Sequence, residues 1–162
     1  MRTTLLVFFG LFLFIVFGCG GGGGGGGTNT GGGTTGGLAG VDVVFYDNFG
    51  GELARATSDV NGDFAASVPT DVRFFQPDPN TINTLTHYRH YYYGGKSYSA
   101  IDPNCRTPLP TIPDGGDVTL PGGNIAVLKQ GPPPPPPTGC SASSTGTGSG
   151  GVATLRGKVV EL

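Results

Sequence analysis

The chain has 162 residues, of which 32 are glycine and 14 are proline, and a formal net charge of −2 at pH 7. Its 9 lysines and arginines are scattered singly, which excludes the clustered basic surface of a nucleic-acid-binding protein. Several segments are too poor in apolar residues to pack, so we expect one folded domain of about 90 residues at 38–130.

The N-terminus combines a positive charge with a short apolar stretch. Arg2 precedes LLVFFGLFLFIVF (residues 5–17), and Gly18 and Cys19 follow. These are the parts of a secretory signal, and the stretch is shorter than the roughly 20 residues of helix that cross a hydrocarbon core. Because a cysteine directly follows the small residue, VFGC (residues 16–19) resembles the lipobox of bacterial lipoproteins.

That resemblance implies cleavage before Cys19 and attachment of acyl chains to it. The acyl chains would hold the protein to a membrane of the bacterial cell envelope without spanning it. Gly20, where an aspartate would retain diderm lipoproteins in the inner membrane, implies the outer membrane by analogy. An ordinary signal peptide and an uncleaved N-terminal anchor are the alternatives that the residues leave open.

The composition divides the chain into five parts. The glycine-rich and Ser/Gly-rich stretches lack apolar surface to offset their ordering entropy, so we expect them to be flexible. Six prolines, Pro132–Pro137, predict a stiff polyproline II spacer of about 19 Å. The parts are a signal peptide (1–18), a lipidated cysteine with a glycine linker (19–37), the domain (38–130), a proline and Ser/Gly linker (131–151) and a C-terminal strand (152–162).

The first half of the domain predicts short strands separated by turns. In VDVVFYD (41–47) and DFAASVP (63–69), apolar residues alternate with a period of two, as in half-buried strands. ELARATS (52–58) and VRFFQ (72–76) add two more strands. Short strands at this spacing without helical periodicity predict an all-β fold, a small antiparallel β-sandwich.

The second half predicts longer strands. Residues 84–101 form a hairpin in which Gly94 and Gly95 can adopt the positive φ of a tight turn. Residues 102–116 contain four prolines and predict a loop that crosses an edge of the sheet. NIAVLKQ (124–130) predicts a further core strand.

Residues 52–69, ELARATSDVNGDFAASVP, resemble the signature of carboxypeptidase regulatory-like domains, which belong to the transthyretin-like sandwiches. LAGVDV (38–43) matches the family's first segment, and residues 56–69 match its A-T-T-D-x-x-G-x-F-x-x-x-V-P segment. The resemblance covers residues 38–69 and implies a transthyretin-like or immunoglobulin-like sandwich that acts as a non-catalytic module.

The family's first strand, typified by G-K-V-V, is absent before residue 38 and occurs instead in TLRGKVVEL (154–162). Two interpretations remain open. In one, this segment returns and pairs beside the Val41 strand, with Val159 on the core face. In the other, it is the stump of a further domain.

The three cysteines suit an exported protein. Lipidation would use Cys19 and leave Cys105 and Cys140 as a pair. A disulfide between them would close a loop of about 35 residues and stabilise the fold by about 3–4 kcal/mol. Two free thiols, or pairing with another chain, are the alternatives.

Neither candidate metal motif is complete. Asp59-x-Asn61-x-Asp63 lacks the glycine and glutamate at the sixth and twelfth positions of an EF-hand loop, so we predict a turn between strands. His87 and His90 are three residues apart on a strand, which places them on opposite faces. We therefore predict no metal and no cofactor.

The hairpin is rich in tyrosine, which offers large contact area with a polar tip. Strict alternation places His87, Arg89, Tyr91 and Tyr93 on one face, and Tyr88, His90 and Tyr92 on the other. Since one face alone can be core, some rings should be exposed. Arg89, Tyr91 and Tyr93 are the candidate ligand-binding residues, and cross-strand packing is the alternative.

The sequence contains no G-x-S-x-G, no H-E-x-x-H and no phosphate-binding loop between strand and helix. We therefore expect that the protein is not an enzyme. One functional hypothesis is a lipid-anchored structural or interaction module whose partner is an envelope protein. The other is a carbohydrate-binding module that binds a polysaccharide through the exposed tyrosines of the hairpin.

Overall fold

The structure is a computed structural model that describes residues 36–140 and 150–162, and it confirms the all-β prediction. A 3-10 turn at Pro103–Cys105 follows the sixth strand. The strands are β1 (Asp42–Tyr46), β2 (Glu52–Thr57), β3 (Asp63–Pro69), β4 (Phe74–Pro77), β5 (His87–Tyr93), β6 (Lys96–Ser99), β7 (Thr107–Pro108), β8 (Asp117–Thr119), β9 (Ile125–Lys129) and β10 (Val152–Glu161).

The strands form two sheets that pack as a sandwich. One sheet is antiparallel with the order β2-β1-β4-β7, and the other has the order β3-β10-β9-β5-β6, with β8 paired to β10. Aromatic side chains join the sheets: the ring centroid of Phe45 lies 6.4 Å from that of Phe64, and Phe75 meets Tyr93 edge-to-face at 4.9 Å. The second sheet is mixed, because β10 runs parallel to β8 and β9.

The alternation predicted for β3 is present. Phe64, Ala66 and Val68 are buried in the core, while the residues between them are exposed. Alternation of buried and exposed residues is typical of a strand with one face on the core and the other in solvent.

The C-terminal segment joins the sandwich, but its predicted partner is wrong. β10 lies between β3 and β9, whereas both edges of β1 are occupied by β2 and β4. Val159 is fully buried in the core. The residues before β1 extend the same sheet, since Leu38 N donates to Val159 O at 2.9 Å and Glu161 N donates to Gly36 O at 3.0 Å.

An irregularity in β5 interrupts the strict alternation predicted for the tyrosine-rich hairpin. His87 pairs with Lys129 of β9, yet Tyr91 pairs with Val127, so β5 has two more residues than β9 over this interval. A bulge of this kind breaks the period of two. Arg89 consequently faces solvent while Tyr91 faces the core.

The proline-rich segment, which was predicted to be a stiff spacer within a linker, is attached to the domain. We call residues 131–139 the polyproline strap. The amides of Thr138 and Gly139 both donate to Ser97 O of β6 at 2.9 Å, and the Tyr88 hydroxyl donates to Gly131 O at 2.6 Å. Gly139 lies so close to Tyr98 that a Cβ atom there would overlap the ring.

Candidate functional site

Two of the three candidate ligand-binding residues belong to the core. Tyr91 is 0% exposed and its ring stacks on Tyr98 at a centroid distance of 5.2 Å. Its hydroxyl lies 2.9 Å from Thr107 Oγ1, and burial raises the pKa of the phenol. The prediction that Tyr91 binds a ligand is therefore wrong.

Tyr93 has a comparable structural role. It is 8% exposed, packs edge-to-face on Phe75, and its hydroxyl accepts a hydrogen bond from Gly122 N at 2.7 Å. A Cβ atom at Gly122 would overlap the tyrosine ring, so the 122 position must be small. Tyr93 thus anchors a neighbouring loop and, like Tyr91, offers no surface for a ligand.

Arg89 is exposed, and its Nε donates to Pro79 O at 3.0 Å. It lines a groove of about 410 Å³ between the polyproline strap and the outer face of β5 and β6. Tyr88, His90, Ser99, Ile101 and Pro134–Pro137 complete the lining. We call this the strap groove.

His90 gives the strap groove an unsatisfied polar atom. The residue is 5% exposed, and its Nε2 has no hydrogen-bond partner among the described residues. Most buried polar side-chain atoms in proteins are hydrogen-bonded, so an exception asks for an explanation. Burial lowers the pKa of the imidazole, which keeps it neutral at pH 7, so Nε2 can donate or accept according to the tautomer.

His87 has a different environment from His90. Its Nδ1 lies 2.8 Å from Thr86 Oγ1, and its Nε2 lies 2.9 Å from Glu161 Oε2. Lys129 also binds Glu161, with 2.8 Å between Nζ and Oε1. Both ring nitrogens are therefore occupied, and the one at Nε2 ties β5 to the C-terminal end of β10.

The Asp59 motif forms a turn. Asp59 Oδ1 accepts hydrogen bonds from the amides of Asn61 at 2.8 Å and Asp63 at 2.9 Å. This is the Asx arrangement that such residues favour between strands. In residues 36–140 and 150–162, no group of three or more histidine, cysteine or carboxylate side chains is placed to hold a metal ion.

Cys105 and Cys140 are joined by a disulfide. Of the alternatives that the sequence left open, this is the intramolecular pairing. The bond fixes the C-terminal end of the polyproline strap to the 3-10 turn that precedes β7. The strap is thereby held at both ends, by the disulfide and by the Tyr88–Gly131 hydrogen bond.

The sequence analysis missed most of the strap groove. Tyr88 and His90 were assigned to the face opposite Arg89, because the irregularity in β5 has no evident signal in the sequence. The prolines were recognised, but nothing in a run of prolines indicates where it docks. The pair of cysteines flanking residues 106–139 was the available signal, because a disulfide between them would return the strap to the domain.

Comparisons with protein-family models, with curated proteins and with solved structures find no significant match to this chain. The predicted signal segment 1–18 and the candidate lipidation site Cys19 lie outside the described residues. Among the residues that the structure does describe, no helix has the length and apolar character needed to cross a membrane.

Proposed function

We propose that this chain is a lipid-anchored bacterial envelope protein, acylated at Cys19, whose β-sandwich is a non-catalytic interaction module. We further propose that the strap groove is the surface through which the module binds another envelope protein. The observation that carries this proposal is the lining of the groove, where aromatic, arginine, aliphatic and proline side chains surround an unpartnered His90 nitrogen.

The lining has the composition of a protein interface. Tyrosine and arginine are enriched among the hot-spot residues of protein interfaces. The unpartnered nitrogen of His90 can form a hydrogen bond that orients the partner. Ile101 is 63% exposed at the edge of the strap groove, although an isoleucine prefers burial. Proline residues lose little conformational freedom on binding, which favours their use in a recognition surface.

The anchor is supported by residues 16–19, VFGC, and by the glycine run that follows. The non-catalytic role is supported by the resemblance of residues 38–69 to carboxypeptidase regulatory-like domains. The disulfide also supports export, because disulfides persist in oxidising compartments.

A carbohydrate-binding module is a second candidate function, with binding residues other than Tyr91 and Tyr93. Tyr88 and Tyr92 are half-buried on the outer face of β5, so part of each ring is available to a ligand. Tyr91 and Tyr93, the rings first assigned to sugar binding, are not available. In this version Tyr88 and Arg89 would contact a saccharide in the strap groove.

Site-specific crosslinking separates the two candidates. A photo-crosslinking amino acid in place of Ile101 should capture one envelope protein in intact cells. Arg89→Ala should reduce the yield of that adduct, and Arg156→Ala should not, because Arg156 lies on β10 and binds Asp117 at 2.8 Å. Capture of polysaccharide fragments in place of a protein would favour the second candidate, and absence of any Arg89-dependent adduct would contradict both.

A further inference from the structure

A second pocket lies where β1 turns into β2, next to the loop that precedes β7. It has a volume of about 240 Å³ and is lined by the turn 48–50, Phe74 and the loop 103–106. Arg106 extends into it, with its guanidinium carbon 3.8 Å from the centroid of the Tyr46 ring. Stacking on an aromatic face holds a guanidinium in one plane at low entropic cost. We call this the Arg106 pocket.

Arg106 is the one arginine among the described residues whose side chain has no hydrogen-bond acceptor. Its Nε is buried without a partner, and no carboxylate lies within ion-pairing distance in the described part of the chain. The other described arginines have acceptors: Arg55 binds three carboxylates, Arg73 binds backbone carbonyls, Arg89 binds Pro79 O and Arg156 binds Asp117. The four Nη donors of Arg106 therefore have no acceptor among the described residues and can bind a ligand.

The acids at the base of the two loops form no ion pair with this cation, and their Oδ1 atoms accept hydrogen bonds from backbone amides instead. Asp47 Oδ1 accepts from Phe49 N at 2.8 Å and from Gly51 N at 2.7 Å, and Asp102 Oδ1 accepts from Asn104 N at 2.8 Å. These hydrogen bonds also make both loops rigid before any ligand arrives.

Gly50 makes room for the guanidinium. A Cβ atom at this position would lie 2.5 Å from Arg106 Nη1, and the backbone φ of +86° is one that other residues rarely adopt. The disulfide at Cys105 fixes the backbone on the other side of Arg106. The cation is therefore held from two directions.

Three further side chains at the Arg106 pocket point to the class of ligand. Phe49 is 95% exposed at the tip of the turn, where its ring packs on nothing in the domain. Asn48 and Asn104 are exposed on the two loops, and each side-chain amide offers both donors and an acceptor. An open aromatic face receives the C–H bonds of a sugar ring, and amides match neighbouring hydroxyl groups.

We propose that the Arg106 pocket binds a sugar acid, such as a uronic acid unit of an acidic polysaccharide. The guanidinium binds the carboxylate through two parallel hydrogen bonds, the asparagines bind ring hydroxyls, and Phe49 covers the C–H face. A single cation among uncharged polar groups matches one carboxylate among hydroxyls. An acidic peptide, with carboxylates on successive residues, would be better matched by several cations. This site is separate from the strap groove and does not depend on the function proposed for it.

Calorimetric titration of the full chain in detergent micelles tests the assignment. Trigalacturonate should bind saturably, whereas the neutral galactose trisaccharide and triglutamate should bind at least tenfold more weakly. Arg106→Gln should raise the dissociation constant for trigalacturonate at least tenfold, and Phe49→Ala should raise it severalfold. The matched control Arg156→Gln should leave it unchanged, because Arg156 lies on β10, binds Asp117 at 2.8 Å and lines neither the Arg106 pocket nor the strap groove.

Each other result would overturn the proposal. Equal binding of the neutral trisaccharide would remove the role of the carboxylate, and equal binding of triglutamate would make the ligand a peptide. Absence of binding by all three probes would also overturn it. Phe49→Ala keeps the test decisive if Arg106→Gln fails to fold, because an almost fully exposed ring contributes little to stability. Crosslinking at Ile101 is unaffected by these results, so this proposal and the function proposed for the strap groove can fail separately.

Discussion

The imidazole of His90 is buried beside the polyproline strap, and this burial lowers its pKa. An unpartnered buried ring nitrogen costs about 1–3 kcal/mol, a strain that a bound ligand would relieve. The titratable or charged neighbours of His90 in the strap groove are Tyr88 and Arg89, while Ser99 and the prolines carry no charge. Protonation would place a second cation next to Arg89 in a poorly solvated site.

We therefore predict that the domain loses stability as the pH falls below about 6.5, the ordinary pKa of histidine. Because the pKa is lower in the folded state, the unfolded chain binds the proton first and unfolding is favoured in that range. Above about 6.5 this contribution to stability should be fully present. The measurement is the urea midpoint of unfolding at a series of pH values from neutral to mildly acid.

His90→Gln is the matched variant, since it keeps a polar side chain and removes the titration. Its urea midpoint should vary less over the same pH range. The pKa values of Asp78 and Glu161 are lowered by their basic partners, so those carboxylates lose their contribution only at more acidic pH. A parent and variant with the same pH dependence would show that protonation of His90 does not cause the loss of stability.

At the scale of elements, β10 is the strand on which the second sheet depends. Residues 152–158 pair with β3 on one edge, while β8 and then β9 pair with the other edge. Leu155 and Val159 are fully buried. Removing a strand that is paired on both sides exposes two ladders of backbone groups and part of the core at once.

Deletion of residues 152–162 should therefore prevent stable folding. Near-ultraviolet circular dichroism should lose the signal of the packed tyrosines, and amides of β3 and β9 should exchange rapidly with solvent. Deletion of Leu162 alone is the control and should lower stability far less, because it removes a 53% exposed side chain and only two backbone hydrogen bonds, to Val127 O and from Lys129 N. A truncated chain that melts and exchanges like the parent would mean that β3 and β9 can pair without β10.

The alternating strands were the elements that the sequence predicted best. In β3 the period of two follows directly from burial on one face, so Phe64, Ala66 and Val68 could be assigned to the core. Partners were harder to predict: that β10 would pair with β3 and not with β1 depends on which sheet edges are already occupied. That information is distributed over the whole chain.

The candidate site was less predictable than the fold. The irregularity in β5 lies between His87 and Tyr91 and leaves Arg89 exposed while Tyr91 is buried, and a single sequence gives no sign of it. No sequence pattern marks Arg106 as a site residue. What distinguishes it is that its side chain has no hydrogen-bond acceptor among the described residues. Such a feature appears only when the surroundings of every arginine are known.

At the scale of the whole molecule, long-range ties hold the C-terminal half to the sandwich. The disulfide joins residues 35 apart in sequence, and by chain-entropy reasoning such a bond contributes about 4 kcal/mol. It closes a loop that contains β7, β8, β9 and the polyproline strap. The loop contributes Pro134–Pro137 to the strap groove and Arg106 to the Arg106 pocket, so the disulfide stabilises both proposed binding surfaces.

The proposed lipid anchor would present the domain on a glycine tether. Since Gly36 already binds β10, 16 residues (20–35) would separate Cys19 from the sheet. A glycine-rich linker of that length has a root-mean-square span of roughly 22 Å, enough to carry the sandwich clear of the lipid headgroups. The short tether would keep the strap groove and the Arg106 pocket within reach of molecules attached to the same membrane. A freely diffusing protein would not have this restriction.

Cys19→Ser should abolish the incorporation of radioactive palmitate and leave the precursor uncleaved, because acylation requires the thiol of that residue. The double variant Cys105→Ser and Cys140→Ser is the matched control: it removes two thiols that form a disulfide, and it should retain the palmitate label.

Fractionation of the labelled protein should place it in the outer membrane, and Gly20→Asp should shift it toward the inner membrane. Palmitate labelling that survives Cys19→Ser, or that depends on Cys105 and Cys140, would remove the anchor. Residues 1–18 would then act as an ordinary signal peptide or an uncleaved anchor.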